Sequence, residues 1–324
     1  MLNNKIILIT GGTGSFGKAL TKHILKNFNP KKLIIFSRDE MKQFEMANLY
    51  PNQKNLRFLI GDIRDKERLK FALRDVDIVV HAAALKQVPT AEYNPIEYVK
   101  TNIIGAQNIL EASIESKKIS KVLAISTDKA VSPINLYGAT KLCSDKLFLS
   151  ANSIKGDQEI KFSVLRYGNV MMSRGSVIPK FLNSKDKKFQ VTTKDMTRFS
   201  LTLDQSIEAA LYALKKMQGG EIIIPKSNSY KILDLVKAID PNKKIETIGK
   251  RPGEKINEVL IPQTESSNTY ENNNYYIVMS FDKKFEINGF KKVDKNFSYT
   301  SDKNKFFSVN EIRELIKDQQ KKFQ

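Results

Sequence analysis

Lys5-Ile6-Ile7-Leu8-Ile9-Thr10-Gly11-Gly12-Thr13-Gly14-Ser15-Phe16-Gly17 is a β-branched run that passes directly into spaced glycines, and a helical apolar pattern follows through Leu25. Strand, glycine turn and helix in that order give the glycines meaning. They allow a tight turn, let backbone N–H groups approach a pyrophosphate, and aim the N-terminus of the helix at its charge. The spacing is GxxGxxG rather than GxGxxG. The segment predicts nucleotide binding through Gly11, Thr13, Gly14, Ser15, Phe16 and Gly17.

Outward from this turn, strand and helix patterns alternate. A second strand, 32–36, ends in Ser37-Arg38-Asp39-Glu40-Met41-Lys42. An acidic residue closing this strand grips the ribose 2′-hydroxyl of NAD, whereas arginine accommodates the 2′-phosphate of NADP. Ser37 and Arg38 come first and Lys42 follows one turn on, which favours NADP; Asp39 and Glu40 keep NAD open. A third strand, 56–60, leads to Asp62 and Ile63, placed to border an adenine. A fourth, 77–81, reaches Ala82, Ala83 and Ala84, small enough for close passage beside a cofactor. His81 reads as a packing or strand-end residue. A helix from about 95 to 116 carries Asn102, and a strand at 121–127 closes the fifth unit.

This alternation predicts an α/β fold, a Rossmann-type doubly wound parallel sheet. Strands at 162–167 and 221–225 are expected to rejoin it. The first domain is then 1–168 plus 203–230, binding NADP. A smaller, discontinuous C-terminal substrate domain is 169–202 plus 231–324. The second domain holds Met196-Thr197-Arg198 and Arg251-Pro252-Gly253-Glu254-Lys255, whose arginines either clamp a second diphosphate or form surface ion pairs. Residues 266–274, rich in Ser, Asn and Thr, read as a mobile loop, and 308–324 as an exposed amphipathic helix.

The chemistry is expected in KVLAISTDKAVSPINLYGATK, residues 121–141. Tyr137 and Lys141, four apart at the start of a helix, share one face. An ammonium so placed favours the phenolate and brings a tyrosine of ordinary pKa ~10 toward neutral exchange. Thr127, at the end of the preceding strand, can share the same substrate oxygen. Alone, YxxxK is a weak signal; the glycine turn strengthens it.

Composition bounds the rest. The chain has 324 residues, no apolar run near membrane-spanning length, and no signal peptide, and it reads as a soluble cytoplasmic protein. One cysteine, Cys143, excludes a disulfide framework, and two histidines leave no metal site. The net charge of +19 is spread over scattered lysines, KDKK at 185–188 being the densest knot. With no nucleic-acid-binding motif, it suits polyanionic small ligands or a solvated exterior rather than nucleic acid.

TGGTGSFG (10–17), the hydroxyl before Asp128 and YGATK (137–141) resemble the extended short-chain dehydrogenase/reductase family. More narrowly, FSRDEMKQ (36–43), GDIRD (61–65), HAAALKQVP (81–89), STDKAVSPINLYGATK (126–141), RYGNVMMSRGSVIP (166–179), MTRF (196–199) and RPGEK (251–255) are similar to the inverting UDP-N-acetylglucosamine 4,6-dehydratases, which begin pseudaminic acid synthesis. The ordered blocks run to about residue 262; the stretch 263–324 is less diagnostic.

The resemblance implies NADP as cofactor, UDP-N-acetylglucosamine as substrate and a homo-oligomer, dimer or hexamer. In such an enzyme hydride leaves sugar C4 while Tyr137, poised by Lys141 and assisted by Thr127, takes the hydroxyl proton. The C5 proton is then removed, Asp128 protonates the departing 6-hydroxyl, hydride returns to C6, and C5 is reprotonated on the opposite face. Retaining relatives carry Glu beside the aspartate; here Lys129 stands there. Either Lys129, its pKa depressed by partial desolvation beside a cationic ring, or Tyr137 is the C5 base. Lys86, Ser126, Asn169, Val177, Thr193, Arg198, Arg251 and Glu254 are the implied substrate contacts. The turn Val170, Met171, Met172, Ser173, Arg174 is expected to cover the nicotinamide. A C5-retaining dehydratase, a 4-epimerase and a non-catalytic NADP-binding protein remain the alternatives, and the final glycoconjugate, flagellin or surface polysaccharide, is not written in the chain.

Overall fold

The computed structural model describes residues 1–280 and 288–323. Six strands, β1 (Ile6–Thr10), β2 (Lys32–Ser37), β3 (Leu56–Ile60), β4 (Ile78–His81), β5 (Lys121–Thr127) and β6 (Lys161–Tyr167), alternate with helices. Three strands, β7 (Asn169–Val170), β8 (Lys188–Val191) and β9 (Thr197–Leu201), then leave for a second lobe, and β10 (Glu221–Pro225) returns. The parallel order is β3-β2-β1-β4-β5-β6-β10, with the switch point between β1 and β4. The sheet is doubly wound and Rossmann-type, as the alternating pattern predicts.

Period-two alternation explains why the strands are almost wholly apolar. Ile6 and Leu8 of β1 face one core with Phe36, Val79 and Val122, while Ile7 and Ile9 face the other with Ile35, Val80 and Leu123. Helices cover both faces, so neither set meets water.

The second lobe has its own core. β11 (Ser229–Lys231) pairs with β9, which pairs with β7, and β12 (Lys244–Thr247) lies parallel to β8. Around them Ile178, Phe181, Phe189, Leu235, Ile312 and Ile316 pack from the helices Val177–Leu182, Ile232–Ile239 and Val309–Phe323 and from β8. The C-terminal helix is amphipathic with an exposed polar face, as read from the sequence, and it packs Ile312 and Ile316 into this core.

The remaining strands are β13 (Val259–Ile261), β14 (Thr269–Glu271), β15 (Tyr275–Met279), β16 (Lys291–Lys292) and β17 (Tyr299–Thr300). β15 pairs antiparallel with β10, and β14 and β16 follow, extending the large sheet to ten strands. This corrects two expectations. Segments of 231–324 belong to the main sheet, not the second lobe. The stretch 266–274 is built in rather than mobile: Ser266 Oγ donates to the Lys295 carbonyl (2.5 Å) and Thr269 Oγ1 to that of Glu265 (2.7 Å), both side chains buried. Residues 281–287 and 324, placed in the second domain by the sequence division, lie outside the described residues.

The helix expected over 95–116 is interrupted. Pro95–Tyr98 and Gly105–Glu115 flank a π-helical stretch, Val99–Ile104. Such bulges often serve a side chain that must be re-aimed. Here buried Asn102 accepts from the Leu85 amide and donates to its carbonyl (2.9 Å each) and donates to Thr140 Oγ1 (3.0 Å). It ties the chain beyond β4 to the helix that carries Tyr137. No helix among the described residues is long and apolar enough to cross a membrane.

Candidate active site

At the carboxyl ends of the parallel strands, between the lobes, lies a cleft of about 840 Å³. A crevice there, at the strand-order switch, is where open α/β sheets bind ligands. β1 ends at Gly11, whose φ is +65° and whose missing Cβ would lie 2.8 Å from the Ala83 backbone. Only glycine fits. The helix Ser15–Asn27 then starts with no side-chain cap, leaving its first amides turned to the cleft. Those features fit a pyrophosphate.

Beyond β2, Ser37, Arg38, Asp39 and Lys42 line the same wall with Asp62 and Ile63. Asp39 is already engaged: it caps the helix Glu40–Asn48 through the Lys42 amide (3.0 Å) and pairs with the Lys42 ammonium. Arg38, half exposed, stands 3.5 Å from Asp62. Glu40 does not line the cleft. On the opposite side the 170–174 turn crosses toward the glycine loop. The Arg174 amide donates to Ser15 Oγ (3.2 Å), and Lys86 Nζ donates to the Arg174 carbonyl (2.9 Å). Val170, Ser173 and Arg174 line the cleft; Met171 and Met172 instead turn into the core of the second lobe.

The reacting groups gather where β5 ends. Asn135 caps the helix Leu136–Ile154 by accepting from the Gly138 amide (2.7 Å). Gly138 is obligatory, since a Cβ there would strike the Lys129 carbonyl. This close approach sets Tyr137 against the turn Asp128–Ala130. Thr127 Oγ1 donates to Asp128 Oδ1 (3.0 Å) and accepts from the Lys129 amide (3.3 Å). Asp128 is fully buried beneath the cleft wall rather than reaching out from the strand end. Lys129 Nζ reaches three acceptors: Asp128 Oδ1 at 3.0 Å, Glu258 Oε1 at 3.3 Å and Asn169 Oδ1 at 3.4 Å.

The electrostatics correct two expectations. Burial alone would lower the Lys129 pKa, but Asp128 and Glu258 outweigh it, so the ammonium is held above its ordinary value, not depressed. Burial pushes Tyr137 up to about 12, opposed by Lys129 and by the Thr127 hydroxyl. The cation favouring its phenolate is thus Lys129, because Lys141 Nζ turns back to the Ile125 carbonyl (2.9 Å). Lys141 itself is pulled down by burial. Burial pushes the Asp128 carboxyl upward; Lys129 pulls it back and Glu258 adds to the rise.

Of the expected substrate contacts, Lys86, Ser126, Asn169, Val177, Arg198, Arg251 and Glu254 line the cleft. Thr193 does not; its neighbour Thr192 does, donating to Glu254 Oε2 (3.2 Å). Ser126 is spent on Asp145 Oδ2 (2.7 Å). Arg198 is a buried clamp on the carbonyls of Thr197 (2.7 Å), Ile256 (2.8 Å) and Lys255 (3.0 Å), whereas Arg251 is exposed at the rim.

The family model described as polysaccharide biosynthesis protein matches residues 7–280. The chain belongs to that family. Within it, the chain is 51% identical over 330 aligned residues, 98% of each chain, to a Campylobacter jejuni protein named UDP-N-acetylglucosamine 4,6-dehydratase (inverting). It is 41% identical to a Rickettsia bellii protein named UDP-glucose 4-epimerase, covering 98% of this chain and 96% of that one. The solved structure of Pen from Bacillus thuringiensis superposes with a TM-score of 0.93 at 41% identity and 99% coverage of both chains. The resemblance read from the ordered motifs, to the inverting UDP-N-acetylglucosamine 4,6-dehydratases, therefore extends over 98% of the chain.

Sequence reasoning missed Glu258, Lys255, Tyr167 and Tyr230, all of which line the cleft. Glu258 lies three residues beyond the RPGEK block, and only its repetition of acid at a four-residue interval from Glu254 marked it. The tyrosines carried no local signal: Tyr167 ends a strand that reads as core, and Tyr230 sits in a short polar segment.

Proposed function

We propose that this chain is a C5-inverting 4,6-dehydratase of UDP-N-acetylglucosamine, yielding UDP-2-acetamido-2,6-dideoxy-β-L-arabino-hex-4-ulose. The observation that carries the reading is the Lys129 ammonium between Asp128 and Glu258 beside Tyr137. The 51% relative bearing that activity in its name supports it.

Gly11, the Ser15 helix and the Arg38 wall would hold NADP, which would supply the hydride acceptor for sugar C4 and, once reduced, the hydride donor for C6. Arg38 and Lys42 favour the 2′-phosphate, since Asp39 is committed to capping. Tyr137 takes the 4-hydroxyl proton, with Thr127 and Lys129 favouring the phenolate. Asp128, its carboxyl held up by burial, supplies the proton for the leaving 6-hydroxyl by way of the Thr127 hydroxyl, which bonds to it and lines the cleft. Lys129, charged at rest, delivers a proton to C5 once it is bare; Tyr137 takes the first C5 proton after it has released the 4-hydroxyl proton to solvent in the open cleft. Arg251 at the rim and Asn169 meet the diphosphate. The turn 170–174 closes the nicotinamide side, and the homo-oligomer acts in the cytoplasm at the head of pseudaminic acid or a related 6-deoxy sugar route.

Incubation with UDP-N-acetylglucosamine tests this by mass: the product must be lighter by one water. The R. bellii relative keeps a 4-epimerase as the second reading, and an epimerase leaves the mass unchanged.

A further inference from the structure

The dehydration accounts for Asp128 and Lys129 but gives no part to the buried acid beside them. Glu258, immediately before β13, is 2% exposed and lines the cleft. Its Oε1 stands 3.3 Å from Lys129 Nζ and 3.9 Å from Arg198 Nε, and its Oε2 has no hydrogen-bond partner among the described residues. Across the same ammonium, Asp128 likewise keeps one buried oxygen, Oδ2, unpartnered. The backbone holds Glu258 firmly. Its amide donates to Ser301 Oγ and its carbonyl accepts from the Ser301 amide, both at 2.9 Å, and Ser301 Oγ lies 2.6 Å from Thr197 Oγ1. Burying a second carboxylate is costly and weak as a device for stability. Its placement against the catalytic lysine from the segment leading into β13 calls for a different purpose.

We propose that Glu258 is a positioning residue: bonded to the far side of the Lys129 ammonium, it fixes that group between two carboxylates at the cleft and decides which of Asp128 and Lys129 holds a proton to give. This deepens the dehydratase reading and rests on it.

The charges around the site give the direction. Lys129 and Asp128 face Glu258 from the turn after β5, Arg198 from β9 and Lys255 from its own segment, with Tyr137, Lys86 and Tyr230 beyond Lys129. Burial would raise the Glu258 carboxyl, but Lys129, Arg198 and Lys255 outweigh it, and Glu258 stays ionised. Asp128 is raised, so two carboxylates in one pocket are driven apart in proton affinity, the pattern that assigns an acid. Removing the Glu258 charge lowers both Asp128 and Lys129.

The test uses the full chain labelled with [13Cε]lysine, the Lys129 signal assigned by its loss in Lys129→Arg, and titrated without substrate. Wild type and Glu258→Asp are expected to keep Lys129 charged at high pH; Glu258→Gln is expected to titrate about one pH unit lower or more. An unchanged Lys129 titration in folded Glu258→Gln overturns the proposal whatever the substrate. In turnover of UDP-N-acetylglucosamine, Glu258→Gln is expected to lose about 10²-fold in kcat with KM little changed, its alkaline limb shifted to lower pH, and Glu258→Asp to recover most of the rate. Equal kcat and equal pH limbs in Glu258→Gln also overturn it. A wild-type chain that shows the titration shift against Glu258→Gln yet removes no water overturns the dehydratase reading instead.

Discussion

Lys129 Nζ donates to Asp128 Oδ1 at 3.0 Å although the two residues are adjacent in the chain. In a strand they would point to opposite faces. They meet because the backbone leaves β5 at Thr127 and enters the short 3₁₀ turn Asp128–Ala130. The helix bearing Tyr137 then packs on that turn through Gly138.

The pair divides the proton work, so either loss should be severe. Asp128→Asn and Lys129→Met are each expected to lower kcat by about 10²- to 10⁴-fold. Because Asp128 gives a proton, wild-type rate should fall as pH rises through its raised pKa. Steady-state rates across pH check both points.

Thr127 pulls the Tyr137 phenol down against a burial that pushes it to about 12. Thr127→Val removes that pull, so the tyrosine loses its proton less readily. The expected outcome is a lower rate near pH 7 that partly recovers at higher pH, the ascending limb of the profile moving to higher pH. A uniform loss at every pH would contradict this role for Thr127.

Gly138→Ala tests the packing of the turn. Alanine gains about 1 kcal/mol of helix propensity. Against this, its Cβ meets the Lys129 carbonyl and, at 3.0 Å, Pro133 Cβ. Overpacking of this kind costs about 1–3 kcal/mol and here pushes on backbone, so the net change should be destabilising. Urea unfolding reads the sign.

The large sheet was legible because both faces of its strands are covered, which writes Ile6–Ile9 and Leu33–Phe36 as unbroken apolar runs. Tyr137, Lys141 and Thr127 were legible because they sit a fixed few residues apart. What the sequence did not reveal is produced by distance. Glu258 reaches Lys129 from 129 positions away, and two carboxylates reverse the direction expected of the lysine. Helical spacing fixes the face that Tyr137 and Lys141 share but not where the long lysine side chain ends, here at the Ile125 carbonyl. The strand β14 was hidden in a polar stretch whose serine and threonine hydroxyls are satisfied by neighbouring carbonyls.

His81 gives a stability signature independent of catalysis. It is buried, hydrogen-bonded to Thr10 Oγ1 through Nδ1 at 2.8 Å, and burial lowers its pKa from 6.5 to about 3, with Lys141 adding to the fall. The unfolded chain therefore binds a proton below about pH 6.5 that the folded chain refuses. Stability from this group is complete above that pH and declines as pH falls, by at most ~1.4 kcal/mol per unit. His81→Asn should lose this part of the slope in urea titrations between about pH 6.5 and 4.

The central claim, inversion at C5 by groups on two faces of the sugar, is tested most directly by proton NMR of UDP-N-acetylglucosamine turnover in D2O, with no cofactor added. The account predicts a 6-deoxy-4-keto product of L-arabino configuration with deuterium at C5. A product that retains the C5 configuration would contradict it and remove Lys129 as the donor on the opposite face.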